Sequence, residues 1–91
     1  MGSRLFRGNM LVLPIGKGLL YVEPIYLESS SNNLPTLVRV VVSDGQKFVM
    51  EKDLRTGLAK LVGNGAIPSN DLAATERLLR QPGPDPTIPL P

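Results

Sequence analysis

Apolar and polar positions alternate with a period of two through most of the first fifty residues, which predicts β-strands. The first two strands are predicted over residues 9–15 and 19–28, with the earlier one starting at Asn9 or nearer Leu5. Gly16-Lys17-Gly18 separates them, and its glycines supply the positive φ that a tight hairpin turn requires. This part of the chain is therefore predicted to be an antiparallel hairpin.

A second hairpin is predicted over residues 37–42 and 46–51. Valines alternate along its first strand, and Asp44-Gly45, between the two strands, suits a type I′ turn. Residues 29–33, which read Ser-Ser-Ser-Asn-Asn, separate this hairpin from the first one. Such a polar run is typical of a flexible loop.

The period changes to about 3.6 after residue 52, which predicts a helix over residues 54–62. Asp53 is suited to cap its first amides and Gly63 to end it. Its apolar stripe consists of Leu54, Leu58, Leu61 and Val62. Gly57 weakens this helix by up to about 1 kcal/mol relative to alanine, so packing on the sheet must stabilise it.

The remainder of the chain is less apolar. A weaker second helix is predicted over residues 71–80, begun by Pro68-Ser69-Asn70, and the pattern leaves open whether it packs on the sheet. From Pro82 onward half of the residues are proline, which is typical of an extended, disordered segment.

These elements together predict an α+β fold. Its sheet is a four-stranded, mainly antiparallel meander with one packed helix, followed by the weak helix and a disordered proline-rich tail. We expect an α+β domain over residues 1–63, a linker and weak helix over 64–81, and the tail over 82–91.

Composition excludes several kinds of chemistry. The chain has no histidine, cysteine or tryptophan, so it has no Cys- or His-based zinc site, disulfide, thiol nucleophile or Ser-His-Asp triad of its own. Its net charge of +2 comes from scattered residues, which argues against nucleic-acid binding. No window approaches the roughly 20 apolar residues of a spanning helix. We therefore expect a soluble segment that does not insert into a membrane.

The acidic residues do not predict an active site. Glu23 and Glu28 are five residues apart on one strand and so point to opposite faces, whereas a catalytic pair must face one cleft. We expect Glu23 to pair with Arg7 or Arg39 as a structural ion pair, with a partner or ligand contact as the alternative. A turn residue, a solvated strand face and a helix cap account for Asp44, Glu51 and Asp53. No metal and no cofactor is expected.

The strand over residues 9–15 is apolar on both of its faces, which is typical of a strand that is covered on both sides. One helix in so small a chain cannot provide both covers. We therefore expect an exposed apolar patch or sheet edge, used against another protein surface. The candidate interface residues are Met10, Val12, Tyr21, Glu23 and Leu27.

Three segments also resemble a known family. They read Arg-Gly-Asn-Met-Leu-Val-Leu-Pro-Ile from Arg7, Leu-Leu-Tyr-Val-Glu-Pro-Ile-Tyr-Leu from Leu19, and Leu-Pro-Thr-Leu-Val-Arg-Val-Val-Val from Leu34. They are similar to the C-terminal part of large bacterial multi-pass membrane proteins catalogued as uncharacterised protein family zero-one-eight-two. The resemblance covers about residues 3–63, and the residues after Gly63 have no counterpart in it.

The resemblance implies that this chain is the last soluble module of a larger protein, in which a block of transmembrane helices is followed by a long soluble region outside the cytoplasmic membrane. The family has no agreed activity, substrate or cofactor, so no catalytic residue is implied. We expect a non-enzymatic interaction or assembly module whose partner is the remainder of that protein, with self-association as a further option. The alternative is a ligand-binding module of a transport or cell-envelope machine, which a groove lined by Tyr21, Glu23 and Arg39 would favour.

Overall fold

The computed structural model describes residues 2–29, 32–63 and 65–81. They form an antiparallel sheet and two helices, which confirms the α+β fold. The elements are β1 (Ser3–Arg7), β2 (Leu11–Ile15), β3 (Gly18–Ser29), β4 (Asn32–Ser43), β5 (Phe48–Glu51), α1 (Leu54–Leu61) and α2 (Ser69–Arg80). The predicted proline-rich tail lies outside the described residues.

The sheet contains five strands where four were predicted, because the first strand is divided in two. β1 and β2 lie end to end along the same edge of β3, and β4 and β5 follow on its other side. Every neighbouring pair is antiparallel. The meander order is therefore as predicted, although residues 9 and 10 fall in the break between β1 and β2 rather than in a strand.

The break between β1 and β2 lies opposite Pro24 of β3. Proline has no N–H to donate, so a continuous ladder cannot form at this level. Its carbonyl instead accepts a hydrogen bond of 2.8 Å from the Gly8 N–H. A Cβ on Gly8 would lie 2.5 Å from a ring carbon of Tyr26, so glycine is required for this close approach.

The two hairpin turns differ in how well the sequence anticipates them. Gly16, with φ +54°, starts a two-residue turn closed by the pair Ile15 and Gly18, as predicted. The type I′ turn predicted at Asp44-Gly45 is wrong, since Asp44 does not have the positive φ that this turn needs. The loop is longer: the Asp44 N–H donates to the Lys47 carbonyl, and the Asp44 carboxylate accepts from the amides of Gln46 and Lys47.

The core lies between one face of the sheet and the two helices. Alternate residues of β3 and β4 point to this side, and the leucine stripe of α1 packs on them as the 3.6 period predicts. The buried residues of this cluster are Leu20, Val22, Val40, Val42, Leu54, Leu58, Leu61, Leu72 and Leu79.

Gly57 is where α1 comes closest to the sheet. A Cβ added there would lie 2.8 Å from Cγ2 of Val42 and 3.7 Å from Cγ2 of Val49. The glycine that weakens the isolated helix is thus the residue that lets it lie flat on β4 and β5. The sequence showed its cost to the helix and not this compensating contact.

The two ends of α1 are satisfied by side-chain and backbone groups, as the sequence predicts. The Asp53 carboxylate accepts a hydrogen bond of 2.8 Å from the Thr56 N–H at the start. Gly63, with φ +97°, donates its N–H to the Leu58 carbonyl at the end. In addition, the Glu76 carboxylate of α2 accepts from the amides of Leu54 and Arg55, at 3.3 and 3.2 Å.

The second helix is longer than predicted and packs on the sheet, which settles a question that the pattern left open. Leu72 and Leu79 are buried. The Tyr26 hydroxyl donates a hydrogen bond of 2.5 Å to the Leu79 carbonyl at the end of α2. Burial raises the pKa of this tyrosine, whose hydroxyl is already protonated at neutral pH. Together with Glu76, this bond ties α2 to both α1 and β3.

We expect Gly57→Ala to lower the free energy of unfolding by about 1 kcal/mol or more. Alanine favours the helix by up to about 1 kcal/mol, but overpacking a core costs about 1–3 kcal/mol. Chemical denaturation measures the balance. The same change should cost less in a Val42→Ala background, where the opposing methyl group is absent. A Gly57→Ala protein more stable than the parent would contradict the close contact.

We expect Asp53→Ala to cost about 1 kcal/mol at neutral pH, the usual value of an N-cap. The Thr56 hydrogen bonds hold the pKa of Asp53 below its ordinary value of 3.8. A carboxyl with a lowered pKa stabilises the fold above its unfolded-state pKa, and this contribution is lost as the pH falls through the folded-state pKa. The difference between the parent and Asp53→Ala should therefore shrink in acid.

Asp53→Asn is the matched control for that experiment, because asparagine caps helices about as well and does not titrate. It should keep most of the stability at neutral pH. An equal dependence on acid in the parent and in Asp53→Asn would show that Asp53 is not the source of the effect.

Candidate interaction surface

The side of the sheet opposite α1 and α2 is apolar, and no helix of the described chain packs on it. We call this side the open face. It comprises the alternate strand residues that do not point into the core. Its apolar members are Leu5, Val12, Leu19, Tyr21, Ile25, Leu27, Val41, Phe48 and Met50. Five of these residues are about half exposed or more, including Phe48 at 68% and Val12 at 50%.

Strand register aligns these residues in rows across the sheet, because directly opposite residues of antiparallel strands point to the same side. One row runs from Val12 through Tyr21 and Ser43 to Phe48. The next runs from Glu23 through Val41 to Met50. The apolar side chains of the four strands therefore form one continuous surface.

A third row contains the two basic residues of the open face. Arg7 of β1 and Arg39 of β4 both lie directly opposite Ile25 of β3. With strands about 4.8 Å apart, the two arginine Cα atoms are about 10 Å from each other. β5 does not reach this level, so an arginine stands at each rim of a sheet that is three strands wide here.

Glu23 is the acidic residue of the open face, two residues along β3 from Ile25. Its carboxylate lies 3.7 Å from the Arg7 guanidinium, and the two side chains are 23% and 74% exposed. Arg7 is one of the two partners that the sequence predicts for Glu23. The Arg39 guanidinium instead donates to the Val38 carbonyl at 2.6 Å. Among the described residues, no carboxylate lies within ion-pair distance of Arg39.

Four of the five candidate interface residues lie on the open face: Val12, Tyr21, Glu23 and Leu27. Met10 does not, because it falls in the connection between β1 and β2, where its side chain is exposed. The placement of the other four on one face follows from the period of two along β3. An interface role for them remains a prediction.

Sequence reasoning missed most of the open face. Leu5 belongs to a strand that was not predicted separately. Alternation puts Val41 on one side of its strand, and Phe48 and Met50 on one side of theirs, but only the register with β4 shows that these sides are continuous with Tyr21. The available signal was the alternation along β3, which puts its odd-numbered residues, Ile25 among them, on one side of the strand.

Three further carboxylates, those of Glu28, Glu51 and Asp44, have structural partners. Glu28 lies on the helix side and pairs with Arg4 at 2.8 Å, so Glu23 and Glu28 point to opposite faces as predicted. Glu51 pairs with Lys60 at 3.0 Å. The amides of Lys47 and Gln46 lower the pKa of Asp44. Within the described part of the chain, no three acidic residues are grouped as metal ligands.

A depression on the open face has a volume of about 430 Å³. Its lining residues are Leu5, Phe6, Arg7, Glu23, Ile25, Val41 and Met50. It thus includes Glu23, but neither Tyr21 nor Arg39 of the groove that would favour a ligand-binding module. The open face is therefore a mainly apolar surface with one open depression.

The fold and this surface define a small α+β module with one covered and one uncovered sheet face. No family model and no solved structure matches the chain. No helix in the described ranges is both long and apolar enough to cross a membrane.

Similar proteins nevertheless show where the chain belongs. It is 58% identical over 66 residues to a UPF0182 protein of Synechococcus sp. strain CC9311, covering 71% of this chain and 7% of that relative. A UPF0182 protein of Thermosynechococcus vestitus is 55% identical over 60 residues, covering 66% of this chain and 6% of the relative. The chain belongs to the UPF0182 family, the uncharacterised family whose motifs it resembles.

A third relative extends the match along the chain. A UPF0182 protein of Desulforamulus reducens is 41% identical over 97 aligned positions, which take in 96% of this chain and 10% of the relative. The match must therefore run past Gly63, so the expectation that nothing after this residue has a counterpart is wrong. The chain spans a tenth or less of the length of these three relatives.

We expect Phe48→Lys to change the free energy of unfolding by less than about 0.5 kcal/mol, as exposed substitutions usually do. Leu58→Ala, in the leucine stripe of α1, should cost about 2–5 kcal/mol because it leaves a cavity in the core. Thermal or chemical denaturation measures both. A large loss in Phe48→Lys would show that the open face stabilises the isolated chain, contrary to its exposure.

Proposed function

We propose that this chain is a non-enzymatic interaction and assembly module of a bacterial membrane protein, situated outside the cytoplasm. Its open face packs against another part of the same protein. The observation that supports this most directly is the row of exposed apolar residues from Val12 through Tyr21 to Phe48. Side chains of this kind favour burial because they expose apolar area to water.

The size of the open face supports a specific contact. At about 16 Å² per strand residue, the sheet covers on the order of 600 Å². This is at the upper end of the roughly 300–600 Å² of the largest apolar patch on a typical monomer, a patch that is often functional, and somewhat below the roughly 800 Å² that each partner buries in a standard interface. At about 25 cal/mol per Å², the apolar part alone provides several kcal/mol of driving force before the costs of association.

The relatives supply a source for the covering surface. Their alignments to this chain take up 6–10% of their length. About nine tenths or more of each relative is therefore other sequence, and a module this small needs only one segment of it. The ion pair between Glu23 and Arg7 also suits a contact surface, because the Glu23 carboxylate is not left unpaired on the open face.

A ligand-binding module of a transport or cell-envelope machine is the second candidate. The depression of about 430 Å³ beside Arg7 and Glu23 favours it, since small-molecule sites have volumes of about 300–1,000 Å³. The residues that line this depression lie on an exposed sheet face rather than between secondary-structure elements. We therefore rank it below the assembly function.

Cysteine labelling tests the proposed assembly, because this chain has no cysteine. Val12→Cys and Phe48→Cys place thiols on the open face. Leu78→Cys, at a position on α2 that is 63% exposed, is the matched control. Each is labelled with a maleimide in the isolated chain and in the complete protein that contains it, in a background free of other cysteines.

In the complete protein we expect labelling at Val12→Cys and Phe48→Cys to slow by at least about tenfold, since thiol reactivity requires access. Labelling at Leu78→Cys should be unchanged. Equal rates in both settings at all three positions would show that the open face stays uncovered and would overturn the assembly function.

A further inference from the structure

The charges of the open face are unbalanced around the row of Arg7, Ile25 and Arg39. Two guanidinium groups stand at the rims, whereas Glu23 is the single carboxylate of this face. Glu23 contacts Arg7 at 3.7 Å, and Arg7 remains 74% exposed. Arg39 is also exposed, although its guanidinium donates one hydrogen bond to the Val38 carbonyl, so both arginines are accessible to a covering surface.

We propose that the open face binds an amphipathic helix whose apolar stripe is flanked on both sides by aspartate or glutamate. This inference rests on the proposed function and specifies the chemistry of the partner. The stripe lies along β3 over Leu27, Ile25 and Tyr21, and the flanking carboxylates meet Arg7 on one side and Arg39 on the other. Arginine and carboxylate groups form bidentate hydrogen bonds that fix such an orientation.

The dimensions of the face fit a single helix. A helix with its side chains is about 10–12 Å wide, close to the separation of about 10 Å between the two arginine Cα atoms. From Tyr21 to Leu27, β3 extends about 20 Å, which about 13 helical residues span. With this helix in place, the sheet has helices on both faces, which is a common layered architecture.

Two other occupants fit the charges less well. A second copy of this chain would add two more arginines opposite the first two, and like charges across an interface disfavour association. An anionic membrane surface would attract the arginines. However, its negative charge is spread evenly and would also lie over the Glu23 carboxylate near the centre of the face, where like charges repel.

Two synthetic peptides test the proposal. Both are 18-residue helices with the same stripe of leucines, one flanked by glutamates and the other by lysines. Their affinity for the isolated chain is measured by titration followed with amide chemical shifts. We expect the glutamate peptide to bind at least about fivefold more tightly at low salt, with a preference that shrinks as salt screens the charges.

Substitutions then test whether Arg39 is responsible for the preference for the glutamate peptide. Arg39→Glu should remove or reverse it, and Arg39→Gln should reduce it without adding a charge. Arg77→Glu makes the same change of charge at an exposed position of α2 and should leave the preference intact. Unchanged shifts of the core amides verify that each variant is folded.

Several results would overturn the proposal: equal affinity for the two peptides, a preference that Arg39→Glu does not alter, or binding only to phosphatidylglycerol vesicles. Self-association that excludes the glutamate peptide would also overturn it. Protection of Phe48→Cys in the complete protein, combined with no peptide preference, would reject the acidic helix and leave the assembly function standing. Peptide preference without that protection would reject the assembly function instead.

Discussion

A sheet has two faces, and the two helices of this chain cover only one of them. α1 and α2 contain 8 and 12 residues, and both pack on the same side. The leucines of the helices bury every second residue of β3 and β4, and the residues between them face solvent. Both the core and the open face follow from this one-sided coverage, because the period of two sends every second side chain the other way.

The covered side is held by contacts of short range and specific shape. Gly57 allows α1 to approach Val42 more closely than any other residue type would permit. Glu76 accepts hydrogen bonds from the first amides of α1, and the Tyr26 hydroxyl binds the last turn of α2. These three ties fix both helices to the sheet, so neither is free to move across and cover the opposite face.

The open side is the surface on which the proposed assembly function rests. Its rows of side chains are mainly apolar, its two arginines stand at the rims, and Glu23 lies on the central strand, paired with Arg7. In that proposal the covering segment comes from the rest of a longer UPF0182 protein, since the aligned relatives are much longer than this chain. The proposal that an acidic helix covers the face rests on Arg7 and Arg39, which the register places on either side of Ile25.

Local pattern was enough to predict much of this fold. Period-two runs located the strands, the period of 3.6 located both helices, and Asp53 and Gly63 marked the ends of α1. The opposite faces of Glu23 and Glu28 also followed from alternation alone. Each of these features depends on residues that are close in sequence, so the local signal contains the information.

Tertiary structure decided the features that depend on residues distant in sequence. The split between β1 and β2 arises where Gly8 meets Pro24 and Tyr26. The longer turn is a local exception, because Asp44 binds the amides of Gln46 and Lys47, two and three residues away. The packing of α2 depends on contacts with β3 and α1. The open face itself became visible only when strand register brought Phe48 and Met50 beside Tyr21 and Glu23. Alternation determines that a side chain points to one side of a strand, but only pairing between strands determines which side chains share a surface.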